Sequence, residues 1–202
     1  GFQGIVGMAL RGHKDNHGLF SPLFQLEQGW SRSYVVRTSS ARSTLVLGPS
    51  AEDVAGFSRL ELPKQPKHKV SPEGGVAYDD NALVVCATID DVALEGGCEQ
   101  SSIDTGSTAT RWNTSAPPKD KLDKHEELVG GHTFRATLPG GFDWSVKVSD
   151  KPMPSVDSIK LSTKKDKGNV GMPFFEQYNV LFDGDTGHLG FRAHGAPTPQ
   201  TA

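Results

Sequence analysis

The sequence has little cysteine, no long apolar run and almost no net charge, and each shortage excludes something. Cys86 and Cys98 are the only cysteines in 202 residues, so at most one disulfide is available and a disulfide framework is excluded. Their separation of twelve positions leaves a bridge possible without fixing its geometry. The seven histidines do not cluster at ligand spacing and none adjoins a cysteine. No zinc or other metal site is therefore expected, and no cofactor. No apolar run approaches the roughly 20 residues of a membrane helix, so no membrane partner is expected. The formal net charge is −3 with Lys and Arg scattered, which argues against a nucleic-acid or membrane-surface partner. Ser101 and Ser102 lack a Gly-x-Ser-x-Gly frame, which argues against a serine nucleophile. No repeat of short period is present. The chain opens on Gly1 with no Met and no signal-like segment, so it reads as a fragment or a processed chain.

What is abundant is punctuation. Gly 23 and Pro 13 suit short strands joined by turns better than long helices. Gly4–Leu10 reads as a buried strand, and Ser33–Arg37 and Ser43–Gly48 as two more. Leu19, Leu23 and Leu26, with Pro22 early and Gly29 at the end, predict a short helix over 19–29. Residues 63–81 read as a long surface connection. Leu83–Leu94 has a strand pattern, Glu95-Gly96-Gly97 is the expected hairpin turn, and the returning strand delivers Ser102, Ile103 and Asp104. The charged stretch 116–127, a solvated face, suits a short exposed helix. Strands are expected at 133–138 and 144–148, around Pro139-Gly140-Gly141. The terminal hairpin is expected at 178–182 and 188–192, turning through Asp183–Gly187, with a frayed tail beyond. The sum is an all-β fold with one or two short helices.

Asp104-Thr105-Gly106-Ser107 places a carboxylate in a tight loop between hydroxyls. Two such carboxylates held together share a proton and split their titrations, which lets water attack an amide with acid and base supplied. Gly106 permits the turn, Ser107 is placed to donate to an outer carboxylate oxygen, and Thr105 to tie the loop to a facing one. A second triplet, Asp185-Thr186-Gly187, falls in the terminal hairpin turn, where Asp and Gly are ordinary turn residues. It is expected to be structural. The sequon Asn113-Thr114-Ser115 hints at a secretory route.

The run Ser102–Thr108 resembles the second-lobe active loop of pepsin-like aspartic peptidases (family A1). Asn169-Val170-Gly171-Met172-Pro173-Phe174-Phe175 resembles that family's threading strand beside the loop, although Asn169 stands where a large apolar residue is more usual. Tyr178–Asp183 and Leu189-Gly190-Phe191 resemble its closing hairpin. Gly4–Met8 resembles the first-lobe threading strand, and Leu45-Val46-Leu47-Gly48 the strand before the crossover between lobes. The order matches along nearly the whole chain.

The resemblance implies an all-β, pepsin-like acid protease fold with a β-barrel-like C-terminal lobe. Residues 1–62 would be the remainder of the N-terminal lobe and the crossover, 63–195 the C-terminal lobe, and 196–202 a flexible tail. It implies an aspartic endopeptidase in which Asp104 is one catalytic carboxylate, with Thr105, Gly106 and Ser107 supporting it. The other Asp would come from the missing N-terminal lobe, in the same precursor or a separate chain, and the substrate would be a polypeptide. This fragment alone would then be inactive. Thr108 and Trp112 are the candidates for a substrate pocket, although an aromatic after a turn fits core packing as well. A homodimer pairing two copies of Asp104 fits the first-lobe pieces poorly. The alternative is a catalytically inactive relative that binds a protein or glycan, or receives an inhibitor. A secreted, periplasmic, vacuolar or lysosomal location follows from the resemblance alone.

Overall fold

A computed structural model of the chain describes residues 8, 10, 21–24, 29–38, 43–65, 76–81, 83–163 and 168–196. The chain separates into two compact units, Gly1–Asp80 with Tyr178–Ala202, and Asn81–Gln177. Each holds one sheet.

The sheet of the first unit consists of β1 (Ser33–Arg37), β2 (Thr44–Leu47), β3 (Ser58–Glu61), β11 (Tyr178–Asp183) and β12 (His188–Ala193). Its order is β2-β1-β11-β12-β3, and every pairing is antiparallel. Period-two alternation sorts the side chains by face. Val35 and Leu181 pack with Phe57 on one face, joined by Val46 and Val54. On the other, the rings of Tyr34 and Phe182 stack 4.7 Å apart. β1, β2, β11 and β12 form where strands were expected, while β3 was not anticipated. Of the helix expected over 19–29, Pro22–Phe24 form a 3-10 turn, and 19–20 and 25–28 lie outside the described residues. The strand expected at Gly4–Leu10 also lies outside them, apart from Met8 and Leu10. Within the connection 63–81, Lys64 bridges Tyr78.

The second unit carries β4 (Leu83–Ile89), β5 (Val92–Ile103), β6 (Thr110–Asn113), β7 (Thr133–Leu138), β8 (Phe142–Lys147), β9 (Ile159–Ser162) and β10 (Gly168–Val170), followed by a one-turn helix α1 (Met172–Phe175). The order is β8-β7-β4-β5-β10-β6-β9. β10 runs parallel to β5, and β9 parallel to β6. A run of edge-to-face aromatics fills the core. Trp112 meets Phe134 at 6.0 Å, Phe134 meets Trp144 at 5.8 Å, and Trp144 meets Phe174 at 5.5 Å. All four are at most 1% exposed. Such contacts add about 0.5–1.5 kcal/mol each beyond area burial.

Two expectations fail here for local reasons. The β4–β5 hairpin turns at Asp90-Asp91, with φ of 51° and 64°, and not at Glu95-Gly96-Gly97, which lies within β5. Aspartate tolerates the left-handed region that a two-residue hairpin turn requires. The Asp90 carboxyl, bound by the Lys121 ammonium, the Thr133 N–H and His132, is held far below the usual carboxylate range. The stretch 116–127 forms a 3-10 turn at Lys119–Lys121 and isolated bridges from Leu122 to Leu128 and from Glu127 to Lys160. Cys86 and Cys98 face each other across β4 and β5 and are joined by a disulfide.

Candidate functional site

β5 ends at Ile103 and hands the chain to Asp104, whose N–H donates to the Val170 carbonyl of β10 at 2.9 Å. The loop is then fastened from behind. Met172 N–H donates to the Ser107 carbonyl at 2.8 Å, and Ser155 N–H to the Thr108 carbonyl at 2.6 Å. Gly171 N–H donates to Thr110 Oγ1 at 3.2 Å. A Cβ on Gly171 would collide with the carbonyl oxygens of Ala109 and Ser107, so only glycine lets this backbone pass so close.

Both oxygens of the Asp104 carboxylate are engaged. Gly106 N–H donates to Oδ1 at 2.7 Å, and Asn169 Nδ2 donates to Oδ2 at 2.9 Å. The reverse orientation of the Asn169 amide would set oxygen against oxygen. Asn169 is delivered by β10, opposite Ser102 on one side and Arg111 on the other. Its Oδ1 is closed off from solvent and takes no hydrogen bond. Asn169 is the residue that sequence reasoning noticed as a departure without giving it a role. The signal was an amide in an apolar slot beside a carboxylate.

Ser107 does not act as expected. Its hydroxyl donates to the Ala109 carbonyl at 2.7 Å, and the Asn169 amide takes the outer oxygen instead. Thr105 and Thr108 are exposed and Asp104 is half-buried. Trp112 is no pocket wall: it is 0% exposed and lies in the aromatic core. The sequon is also spent internally. The Asn113 side-chain amide donates to Glu99 Oε2 at 3.2 Å, and Thr114, buried, donates to the Glu95 carbonyl at 2.8 Å. Burial pushes the Glu99 carboxyl up, against the pull of the Asn113 hydrogen bonds.

Beside the loop, residues 149–157 wrap around the carboxylate of Asp157, which accepts the N–H groups of Ser149 and Met153, each at 2.7 Å. Burial opposes its ionisation, yet these bonds hold its carboxyl below the usual range. Met153 and Val156, on this segment, are exposed. Among the described residues, no group of three His, Cys, Asp or Glu is arranged to hold a metal ion.

No family model and no curated protein matches the sequence. Among solved structures, the chain is similar to basic 7S globulin from soybean, with a TM-score of 0.54 at 15% identity. The match covers 92% of this chain. The fold is all-β and pepsin-like. At that identity the likeness shows the fold alone. This chain spans 59% of the length of the soybean protein.

Proposed function

We propose that the chain is a binding member of the pepsin-like fold, which holds an extended polypeptide at the Asp104 loop without hydrolysing it. The observation that carries this reading is the grip on the carboxylate by Gly106 N–H and Asn169 Nδ2. Both donors are fixed in place, and neither can take a proton from the carboxyl or hand one to it. A backbone N–H and an amide NH₂ only donate. The Ser107 hydroxyl, which could serve either way, is turned to Ala109. Asp104 is thus built as a standing acceptor, suited to a ligand N–H. Exposed Met153 and Val156 beside Thr108 supply apolar contact, and the soybean globulin fits a non-catalytic use of the fold. The Cys86–Cys98 bridge supports an oxidising compartment, extracellular or vacuolar.

The second reading is an aspartic endopeptidase in which Asp104 pairs with another Asp. It is favoured by the delivery of Asp104 between β5 and β10 in a glycine-containing loop. Unfolded casein separates the two. Across acid to neutral pH, the wild-type protein is expected to bind casein saturably and release no new N-termini by mass spectrometry. Asp104→Ala is expected to weaken binding about tenfold, the worth of one charge-assisted hydrogen bond. Casein fragments that appear with wild type and vanish with Asp104→Asn would overturn the binding reading in favour of the peptidase.

A further inference from the structure

β5 reaches Asp104 over a stretch that hydrophobic patterning does not hold in register. Cys86 faces Cys98 and Thr88 faces Ala93, so the single β4 residue Ala87 lies opposite four residues of β5, 94–97. Gly96 enters this excursion with φ of +71°, and a Cβ on Gly97 would collide with the carbonyl oxygens of Leu94 and Ala87. After it come Cys98, Glu99, Gln100, Ser101 and Ser102, with no large apolar side chain before Ile103. On β4, by contrast, Leu83, Val85, Ala87 and Ile89 are all buried.

Period-two patterning resists a slip of one residue, which turns every side chain to the other face. A slip of two keeps every face. With position 98 opposite Val84 instead of Cys86, three residues of β4, 85–87, lie opposite the same four of β5. One surplus residue is then left, as in an ordinary bulge. The side-chain bonds of this stretch run the other way, towards β6. Glu99 accepts the Asn113 N–H at 2.9 Å and its amide at 3.2 Å, and the Glu95 carbonyl accepts Thr114 Oγ1 at 2.8 Å. The inward Ser101 hydroxyl makes no hydrogen bond among the described residues. The Cys86–Cys98 disulfide is the tie that runs to β4.

We infer that this bridge is a register lock that positions Asp104. Under the lock, β5 ends where Asp104 N–H meets the Val170 carbonyl and Asp104 Oδ2 meets Asn169 Nδ2. A slip of two carries the carboxylate about 6.6 Å along the strand, out of hydrogen-bonding reach of Asn169. Cys86 and Cys98 are thus positioning residues that act on the loop through β5. A bridge that only closed a loop of the unfolded chain would stabilise from any nearby pair of positions; a lock depends on which residues it joins. The inference holds whether the Asp104 loop binds or cuts a polypeptide.

Two relocated bridges separate these roles. The first joins positions 84 and 100, through Val84→Cys and Gln100→Cys with Cys86→Ser and Cys98→Ser. Val84 and Gln100 face each other and are exposed, so this bridge keeps the register. The second joins positions 84 and 98, through Val84→Cys and Cys86→Ser. In the observed register these are diagonal neighbours, about 7 Å apart, too far for a disulfide, so the bridge closes only after a slip of two. Both variants are oxidised with glutathione disulfide, which takes two electrons per bridge and leaves as two thiols. Peptide mapping by mass spectrometry is expected to find both bridges closed, with similar urea midpoints because the loops differ little in length. The Asp104 amide is expected to exchange as slowly as in wild type with the 84–100 bridge, and at least about tenfold faster with the 84–98 bridge. Free thiols at 84 and 98 in the folded protein, or a closed 84–98 bridge with Asp104 exchange unchanged, would overturn the lock. So would fast exchange with the 84–100 bridge. If the 84–98 variant does not fold, Cys86→Ser with Cys98→Ser decides. A second set of β4–β5 contacts in its NMR spectra supports the lock, and the Val84–Gln100 contact alone overturns it. Casein is expected to bind the 84–98 variant at least about tenfold more weakly than wild type. A wild-type protein that ignores casein would sink the binding proposal alone, since bridge mapping and amide exchange need no ligand.

Discussion

The chain contains the triplet Asp-Thr-Gly twice, and the two copies have opposite fates. At Asp185-Thr186-Gly187, the carboxylate is consumed in joining the hairpin to β1. Asp185 accepts the Ser31 hydroxyl at 2.5 Å, the Ser33 hydroxyl at 2.9 Å and the Arg32 N–H at 2.9 Å. Just before it, buried Asp183 accepts Thr186 N–H and Oγ1 and Asp185 N–H, and shares the one Ser33 hydroxyl proton with Asp185. At Asp104, the carboxylate has one donor from its own loop and one from β10, and it stays half-buried. The lesson is that the triplet specifies a turn, while its strand neighbours decide whether the carboxylate is structural or presented.

The glycines give the largest contrast. Gly187 has φ of +78°, and a Cβ there would run into the ring of Tyr78. Gly106 has no positive φ, and its added Cβ would sit 3.0 Å from Asp104 Oδ1. Gly187→Ala is expected to lower unfolding stability by about 3 kcal/mol or more, and Gly106→Ala by under about 1 kcal/mol. Equal losses in urea titration would dissolve the distinction. The acids come next. Asp183→Asn is expected to cost about 2–3 kcal/mol, because buried donors lose their acceptor. Asp104→Asn is expected to stay within about 0.5 kcal/mol, since Asn169 can reverse its amide and offer its unpartnered Oδ1 to the new NH₂. A large destabilisation in that variant would mean that Asn169 cannot turn.

Trp112→Phe should cost about 1–2 kcal/mol through lost packing and leave casein binding unaltered. A binding defect in a stable variant would restore Trp112 to the site. The smallest effect is on pH dependence. Burial opposes ionisation of Asp183, but the Thr186 and Ser33 hydroxyls and the N–H groups of Thr186 and Asp185 hold its carboxyl below the ordinary 3.8. Because the folded value is depressed, the unfolded chain takes up the proton first. The resulting stability is present above 3.8 and is lost as pH falls from there through the folded value. Asp157 adds to the same window, while Glu99, raised by burial, acts above it, adding stability as pH falls through its folded value towards 4.5. The acid slope of unfolding free energy is expected to be shallower in Asp183→Asn. An unchanged slope would remove Asp183 from the account.

Much of this was legible from residue order, and the misses share a cause. β1 follows from its β-branched run, β7 from alternation, β11 and β12 from the hairpin pattern, and the structural fate of Asp185 from turn chemistry. The β4–β5 turn was misplaced because Gly96-Gly97 advertises a turn more loudly than Asp90-Asp91, although aspartates also enter the left-handed region. Trp112 looked ambiguous because burial depends on Phe134, which lies 22 positions later. Asn169 and Ser107 exchanged roles because side-chain hydrogen bonds are chosen between strands far apart in sequence. Local patterns fix which residues alternate; which donor reaches Asp104 is settled by strand order.

That dependence sets a timetable for synthesis. The donor that completes the carboxylate lies 65 residues downstream of it, on a strand that pairs in parallel with β5 and inserts between β5 and β6. Long-range parallel pairing is slow, since loop closure must precede any reward from contacts. On the ribosome, β5 and its hairpin partner can form early, disulfide included, with the Asp104 loop still unfastened. The loop acquires its final shape only after Val170 and Met172 have emerged, which makes it a late event in the folding of its unit.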